Sequence, residues 1–216
     1  MHDAWLYVLA RDPGAGKTRL SSVLGPSARA DLAVAMLADV LAAAGAVPFA
    51  RRVIVTESEA VRNLARSAGV ETVHASALGT NSAASTAVGH ATAAGAPRVL
   101  LLAADLPYLL SSELELFLAD RAAVAIAPDR HRRGTNGLLL TPPSVIPTAF
   151  GENSFRSHLV LARNASLAAR VVGSRGLATD VDDPDDLQLL LSDSGIGPHT
   201  SEVVRSASFA AAIPAH

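Results

Sequence analysis

Hydrophobic and polar positions along this chain change period again and again. Residues 5–10 form a short apolar run that ends at Pro13 and the glycines behind it, the pattern of a buried strand. Over 28–44 the apolar residues Leu32, Met36, Leu37, Val40 and Leu41 return at helical spacing. The alternation continues with a strand over 52–56, a helix over 59–67, a strand over 71–75, an Ala-rich helix over 81–94 and a strongly apolar strand over 98–105. Ser111 and Ser112 then open a helix to 120. Strands over 123–128 and 136–141 follow, then a helix over 154–163, strands over 169–173 and 177–181, and a helix over 184–191.

Strands that alternate with helices predict an α/β domain of Rossmann-like type, a mostly parallel twisted sheet with helices on both faces. Ligands of such sheets collect at the carboxyl ends of the strands. The pattern assigns residues 1–191 to one domain. From Ser192 onward Ser, Gly, Ala and His succeed one another without period, which predicts a poorly ordered C-terminal tail over 192–216.

Composition narrows the picture. A chain of 216 residues is the size of one such domain. Aromatics are only 4% against 50% hydrophobic residues, so helices should meet the sheet through small side chains. A net charge of −2 gives no overall attraction to nucleic acid or an anionic membrane. The absence of cysteine excludes disulfides, thiolate metal sites and cysteine nucleophiles, and agrees with a cytoplasmic location. No signal peptide is legible at the start, and charge interrupts each apolar run before the ~20 residues of a membrane span.

Candidate chemistry begins with "RDPGAGKTRL", residues 11–20. An ATPase phosphate loop needs its first glycine where this chain has Arg11, so the "GKT" lacks the rest of that motif. Lys17 and Arg19 beside a glycine-rich turn still suit a polyphosphate, or they are solvated side chains of an ordinary loop. Asp105, at the end of a hydrophobic strand and before Pro107, fits either a metal ligand or a turn cap. In "TDVDDPDDL" the alternating Asp180 and Asp182 share one face and read as metal ligands, whereas Asp183, Asp185 and Asp186 suit the start of a helix. Oxygen-only donors favour magnesium over zinc.

Three further stretches carry polar groups. "RHRRGTN" offers Thr135, Asn136 and backbone amides beside Arg130, Arg132 and Arg133, an anion site or a solvated hairpin turn. Gly151 and Ser154 precede a helix, where Ser154 could also be the N-cap. Asn81 and Ser82 open another helix, as caps or as contacts to a base or ribose. His74 and His158 read as a strand end and a helix surface. No serine-hydrolase elbow is present.

Taken in order, "GKTRL", "DLAVAMLADVL", "GTNSAAS", "VLLLAADLP", "APDRHRRGTNGLLLTPP", "FGENSFRSH" and "LATDVDDPDDL" resemble the phosphoenolpyruvate or 2-phospho-L-lactate guanylyltransferases of deazaflavin coenzyme biosynthesis, a family with a nucleotidyltransferase fold. The resemblance spans about Tyr7 to Leu190. It implies GTP and a phosphorylated three-carbon acid as substrates, a magnesium ion, pyrophosphate release and transient contact with the next enzyme. It assigns the metal to Asp105, Asp180 and Asp182, and the acid to Thr135, Gly151 and Ser154, with Asn136 beside them. The nucleotide falls to Arg11, Gly16, Lys17, Asn81 and Ser82, and the charge neutralisation of catalysis to Lys17, Arg19 and Asp105. The chain departs from the family pattern at Leu9-Ala10-Arg11, Gly16-Lys17 and Gly79-Thr80-Asn81. Three rivals share some of these features: a phosphate-loop kinase, a nucleotidyltransferase for another acceptor such as a molybdopterin, and a nucleotide-binding regulator without turnover.

Overall fold

The computed structural model describes residues 3–75 and 79–212. Seven strands form one sheet: β1 (Ala4–Leu9), β2 (Arg51–Thr56), β3 (Glu71–His74), β4 (Arg98–Ala103), β5 (Val124–Pro128), β6 (Thr135–Leu140) and β7 (Ala169–Val171), in the order β3-β2-β1-β4-β6-β5-β7. All pairings are parallel except those of β6, which runs against both β4 and β5. That one reversal matters for the site. It carries Thr135, the first residue of β6, to the edge where β1 and β4 end.

Helices cover both faces, as the alternation predicts. Leu6 and Val8 of β1 and Leu100 and Leu102 of β4 face α1 (Pro26–Gly45), α2 (Glu59–Ser67) and α4 (Ser111–Ala119) through Leu37, Val40, Val61, Leu114 and Phe117. The intervening residues Tyr7, Leu9, Val99 and Leu101 face α3 (Thr80–Ala93) and α5 (Ser154–Asn164). On α3 the contact is made by Ala83, Ala84, Ala87 and Ala91, so this helix does lie on the sheet through methyl groups. Because strand side chains alternate between faces, each strand contributes to both layers. No helix among the described residues is long and apolar enough to cross a membrane.

Two sequence expectations are corrected. Residues 177–181 form no strand; α6 (Arg175–Ala178) occupies their start, with the Ser174 hydroxyl accepting from the Leu177 N–H. Gly176 enters this turn against Glu113 and the Tyr108 carbonyl, where a Cβ would lie 2.6 Å from that oxygen. The supposed tail after α7 (Pro184–Ser192) holds α8 (Pro198–Val204) and α9 (Ala207–Ala212). Phe209 packs on Leu32 and Met36 of α1 with Val181, Leu187 and Leu190, and Thr200 is buried. The buried Asp39 carboxylate accepts the N–H groups of His199 and Thr200 at 3.0 and 2.8 Å. The last four residues of that stretch lie outside the described residues.

Candidate active site

A cleft of about 580 Å³ opens at the carboxyl edge of the sheet. Its walls include Arg11, Gly16, Lys17 and Arg19 from the loop after β1, and Asp105 after β4. Thr135 and Asn136 of β6, Gly151 and Ser154, and Asp180 and Asp182 complete it. Residues far apart in sequence converge here because β1, β4 and the antiparallel β6 are neighbours in the sheet.

The first loop is built around Asp12. One carboxylate oxygen accepts the Gly14 and Ala15 N–H groups at 2.8 and 3.3 Å, and the other accepts the Ser58 hydroxyl at 2.7 Å. Two amides that a phosphate loop would offer to its ligand are therefore occupied. A short 3-10 turn, Thr18–Ser22, follows in place of the helix such a loop requires. Neither feature supports the kinase reading.

Lys17 is the centre of the charge arrangement. Held in the left-handed region at φ 53°, it sends its ammonium to Asp105 and, at 2.8 Å, to Asp182 Oδ1. Its side chain is 8% exposed. Burial by itself would lower the lysine pKa, but the two carboxylates outweigh it and hold the ammonium above its ordinary range. For Asp182 burial pulls upward, and Lys17, Arg19 and Arg11 together bring its pKa below normal. Among the described residues Asp180 has no such cation. Burial and then the neighbouring Asp105 charge push its pKa up, against a 3.1 Å hydrogen bond from Asn136 Nδ2.

The run that follows divides as its pattern suggests. Asp183 Oδ1 accepts the Asp185 and Asp186 N–H groups at the start of α7, with Pro184 in the first turn. Asp186 reaches back to the Asp182 and Asp183 N–H groups and pairs with Arg130 at 2.6 Å. These residues aim the segment that carries Asp180 and Asp182.

The other residues lining the cleft differ from expectation in several details. The amides of Arg133 and Gly134, expected to offer an anion site, both bond the Asp129 carboxylate at 2.8 Å. Asn136 is buried and spends its amide hydrogens on Leu177 O and Asp180 Oδ1, which makes it a support for Asp180. Arg132 lies over the Phe155 ring, whereas Arg133 lines the cleft. Ser154 is not the N-cap; Asn153, at φ 55°, takes that position and Ser154 is the buried first helical residue. Gly151 has φ 129°, a conformation that L side chains rarely adopt.

Neither Asn81 nor Ser82 lines the cleft; Thr80 does. Asn81 Oδ1 accepts the Phe150 N–H at 2.9 Å and so ties α3 to the loop before Gly151. His158 is fully buried, not on a helix surface. Its ring lies between Thr135 Oγ1 and the Ala149 N–H, each at 3.0 Å. The spacing of Phe155, His158 and Ala162 places all three on one helical stripe, a signal that was present in the sequence.

The sheet order and a charged cleft at its carboxyl edge define an α/β fold with its ligand site at the strand ends. A nucleotide-diphospho-sugar transferase-like crystal structure from Desulfovibrio desulfuricans G20 shares the fold, with a TM-score of 0.76, 19% identity, and 97% and 94% of the two chains covered. The family model for "Guanylyl transferase CofC like" matches residues 10–214. A phosphoenolpyruvate guanylyltransferase of Conexibacter woesei is 38% identical over 85% of this chain and 87% of its own. A 2-phospho-L-lactate guanylyltransferase of Halorubrum lacusprofundi is 37% identical over 90% of this chain and 88% of its own. The chain belongs to the CofC-like guanylyl transferase family.

Proposed function

We propose that this enzyme joins GMP from GTP to phosphoenolpyruvate, or to the closely similar 2-phospho-L-lactate, with release of pyrophosphate, in deazaflavin coenzyme biosynthesis. The observation that carries the reading is one cleft lined by two unlike sets of groups: Arg11, Lys17 and Arg19 with three carboxylates, and Thr135, Arg133, Gly151 and Ser154. The first set suits a triphosphate and the second a small acid. Membership of a guanylyl transferase family agrees with both.

In this reaction an oxygen of the acid's phosphate attacks the α-phosphorus of GTP. A new P–O–P linkage forms as the bond from the α-phosphorus to the β-phosphate's bridging oxygen breaks. A phosphate monoester is mostly dianionic near neutral pH, its second pKa being about 6, so the nucleophile needs no general base. His158, buried and bonded on both ring nitrogens, is not placed to act as one. The work left to the chain is to bring two anions together and to neutralise the leaving pyrophosphate, for which Lys17, Arg19 and Arg11 are at hand.

A divalent ion fits the acidic side of the cleft. A cation already bridges Asp105 and Asp182 in the form of the Lys17 ammonium, and Asp180 is a half-buried carboxylate with no paired cation among the described residues. Among the described residues no three acidic or histidine side chains enclose an ion by themselves. That accords with magnesium, which usually takes one or two carboxylates and completes its shell with water and substrate phosphates. One or two of the Asp105, Asp180 and Asp182 carboxylates would hold it together with the substrate phosphates, and it would supply charge neutralisation on the triphosphate.

The test is pyrophosphate release with magnesium, each ribonucleoside triphosphate in turn, and a panel of phosphorylated three-carbon acids. GTP with phosphoenolpyruvate or 2-phospho-L-lactate is expected to give the highest kcat/KM. No acid-dependent release with any pair would end the proposal.

A further inference from the structure

His158 takes no part in the chemistry described above, yet it is fully buried near the cleft and bonded on both ring nitrogens. The ring is wholly buried on α5 and meets the Phe150 ring in a T-shaped contact, 5.1 Å between centroids and 71° between planes. Burial alone keeps it neutral, with its pKa lowered to about 4. A neutral imidazole has one N–H donor and one acceptor nitrogen. The Ala149 backbone N–H can only donate, so Nε2 must be the acceptor in that 3.0 Å contact. The single ring hydrogen is then on Nδ1, and it is donated to Thr135 Oγ1, also at 3.0 Å.

This has a consequence for the threonine. A hydroxyl has one hydrogen and two lone pairs. With a lone pair facing His158, the Thr135 hydrogen is directed to some other acceptor, and among the described residues its hydroxyl has no second partner. Thr135 lines the cleft next to Gly134, Arg133 and Ser154. A phosphate dianion and a carboxylate are acceptors only, so a hydroxyl that is compelled to donate is what they require. The opposite tautomer would turn the hydroxyl's lone pairs toward an anion.

We infer that His158 is a positioning residue for the acid substrate: it fixes Thr135 as a hydrogen-bond donor and, through the same ring, pins the Ala149–Gly151 backbone that leads to Ser154. The inference rests on reading Thr135 as a contact of the acid. It adds a specificity device outside the cleft's own lining, one that favours an anionic acceptor over a neutral one.

Two measurements test it. Long-range proton–nitrogen NMR of the wild-type imidazole is expected to show the hydrogen on Nδ1; a hydrogen on Nε2 would overturn the inference whatever the variants do. Steady-state kinetics would then compare wild type, Thr135→Val, His158→Gln, His158→Asn and the double variant Thr135→Val/His158→Gln. Loss of a hydrogen bond to a charged group is expected to raise the KM for the acid about tenfold or more in Thr135→Val, with the KM for GTP changed less than about twofold. His158→Gln, whose amide reaches the Nε2 position, should show the same split. His158→Asn, whose amide nitrogen takes the place of Nδ1, should recover most of the loss. The double variant should be no worse than Thr135→Val, because the histidine acts through the threonine. Additive effects, or equal damage from Gln and Asn, would refute the role of His158 and leave the acid pocket standing. An unchanged KM for the acid in Thr135→Val would instead remove the acid assignment and the inference together.

Discussion

Replacing Lys17 by methionine removes the cation from a pocket that holds Asp105, Asp180 and Asp182 and leaves the shape of the stem nearly intact. Cutting one partner out of a buried ion pair costs about 3–5 kcal/mol. Here the ammonium is buried at 8% exposure, but Asp105 and Asp182 are 25% and 50% exposed, so water compensates part of the loss. A cost of about 2 kcal/mol is expected at pH 8, which for a domain of this size lowers Tm by roughly 4–8 °C. The cost should shrink at pH 5, because Asp180, its pKa pushed up to about 7 by burial and the Asp105 charge, is then protonated and no longer adds negative charge to the pocket. The ammonium also competes with any divalent ion for the same oxygens. Millimolar magnesium, with sodium chloride as the ionic-strength control, should therefore restore most of the lost Tm in Lys17→Met and raise that of the wild type far less. The assay is thermal unfolding followed by circular dichroism with and without magnesium. A variant as stable as wild type, or one with the same magnesium response, would refute the shared cation position.

Other outcomes follow from the same geometry. Asp105→Asn should lower kcat for pyrophosphate release by about a hundredfold or more while the circular dichroism spectrum stays native; full activity would remove Asp105 from the site. His158, with its pKa near 4 in the fold against 6.5 in the open chain, disfavours the native state by on the order of 3 kcal/mol at pH 4 and below relative to neutral pH. The penalty is absent above pH 6.5 and grows as pH falls toward 4, because the unfolded chain takes up the proton first. Urea unfolding at several pH values should show this slope in wild type and not in His158→Gln. Asp39→Ala leaves the His199 and Thr200 amides without their carboxylate and should cost about 1–2 kcal/mol with kcat unchanged. An unaltered unfolding midpoint would mean α8 is not held by that cap.

The element pattern was legible because most strands and helices carry their own period. Residues 59–67 read correctly as a helix from the alternation, and 184–191 from the capping signal at Asp183 and Pro184, since those signals are local. Residues 177–181 misled because Leu177, Thr179 and Val181 alternate like a strand, while the turn is dictated by Gly176 packing under Tyr108 and Glu113 from another part of the chain. The last helices were missed for a similar reason. Phe209 sits among small alanines and Thr200 is polar, so neither belongs to a helical period of large apolar side chains, and their burial depends on Leu32, Met36 and Asp39 of α1.

The site shows the same division. Asp105, Asp180 and Asp182 could be picked out as acids at strand and segment ends, and the cleft gathers all three. That Lys17 bridges two of them had no local signal, its partners lying 88 and 165 residues away. Asn81 and Asn136 looked like ligand contacts because a polar side chain at an element end is ambiguous. Only the tertiary arrangement shows Asn81 accepting from Phe150 and Asn136 donating to Asp180.

The account depends on which phosphorus is attacked and by what. Phosphoenolpyruvate carrying oxygen-18 in its phosphate, incubated with the enzyme, magnesium and GTP and followed by phosphorus-31 NMR, addresses this directly. Label in the bridge between the GMP phosphorus and the acid's phosphate, with unlabelled pyrophosphate, is the predicted result. Formation of GDP, or label appearing in the pyrophosphate, would contradict it.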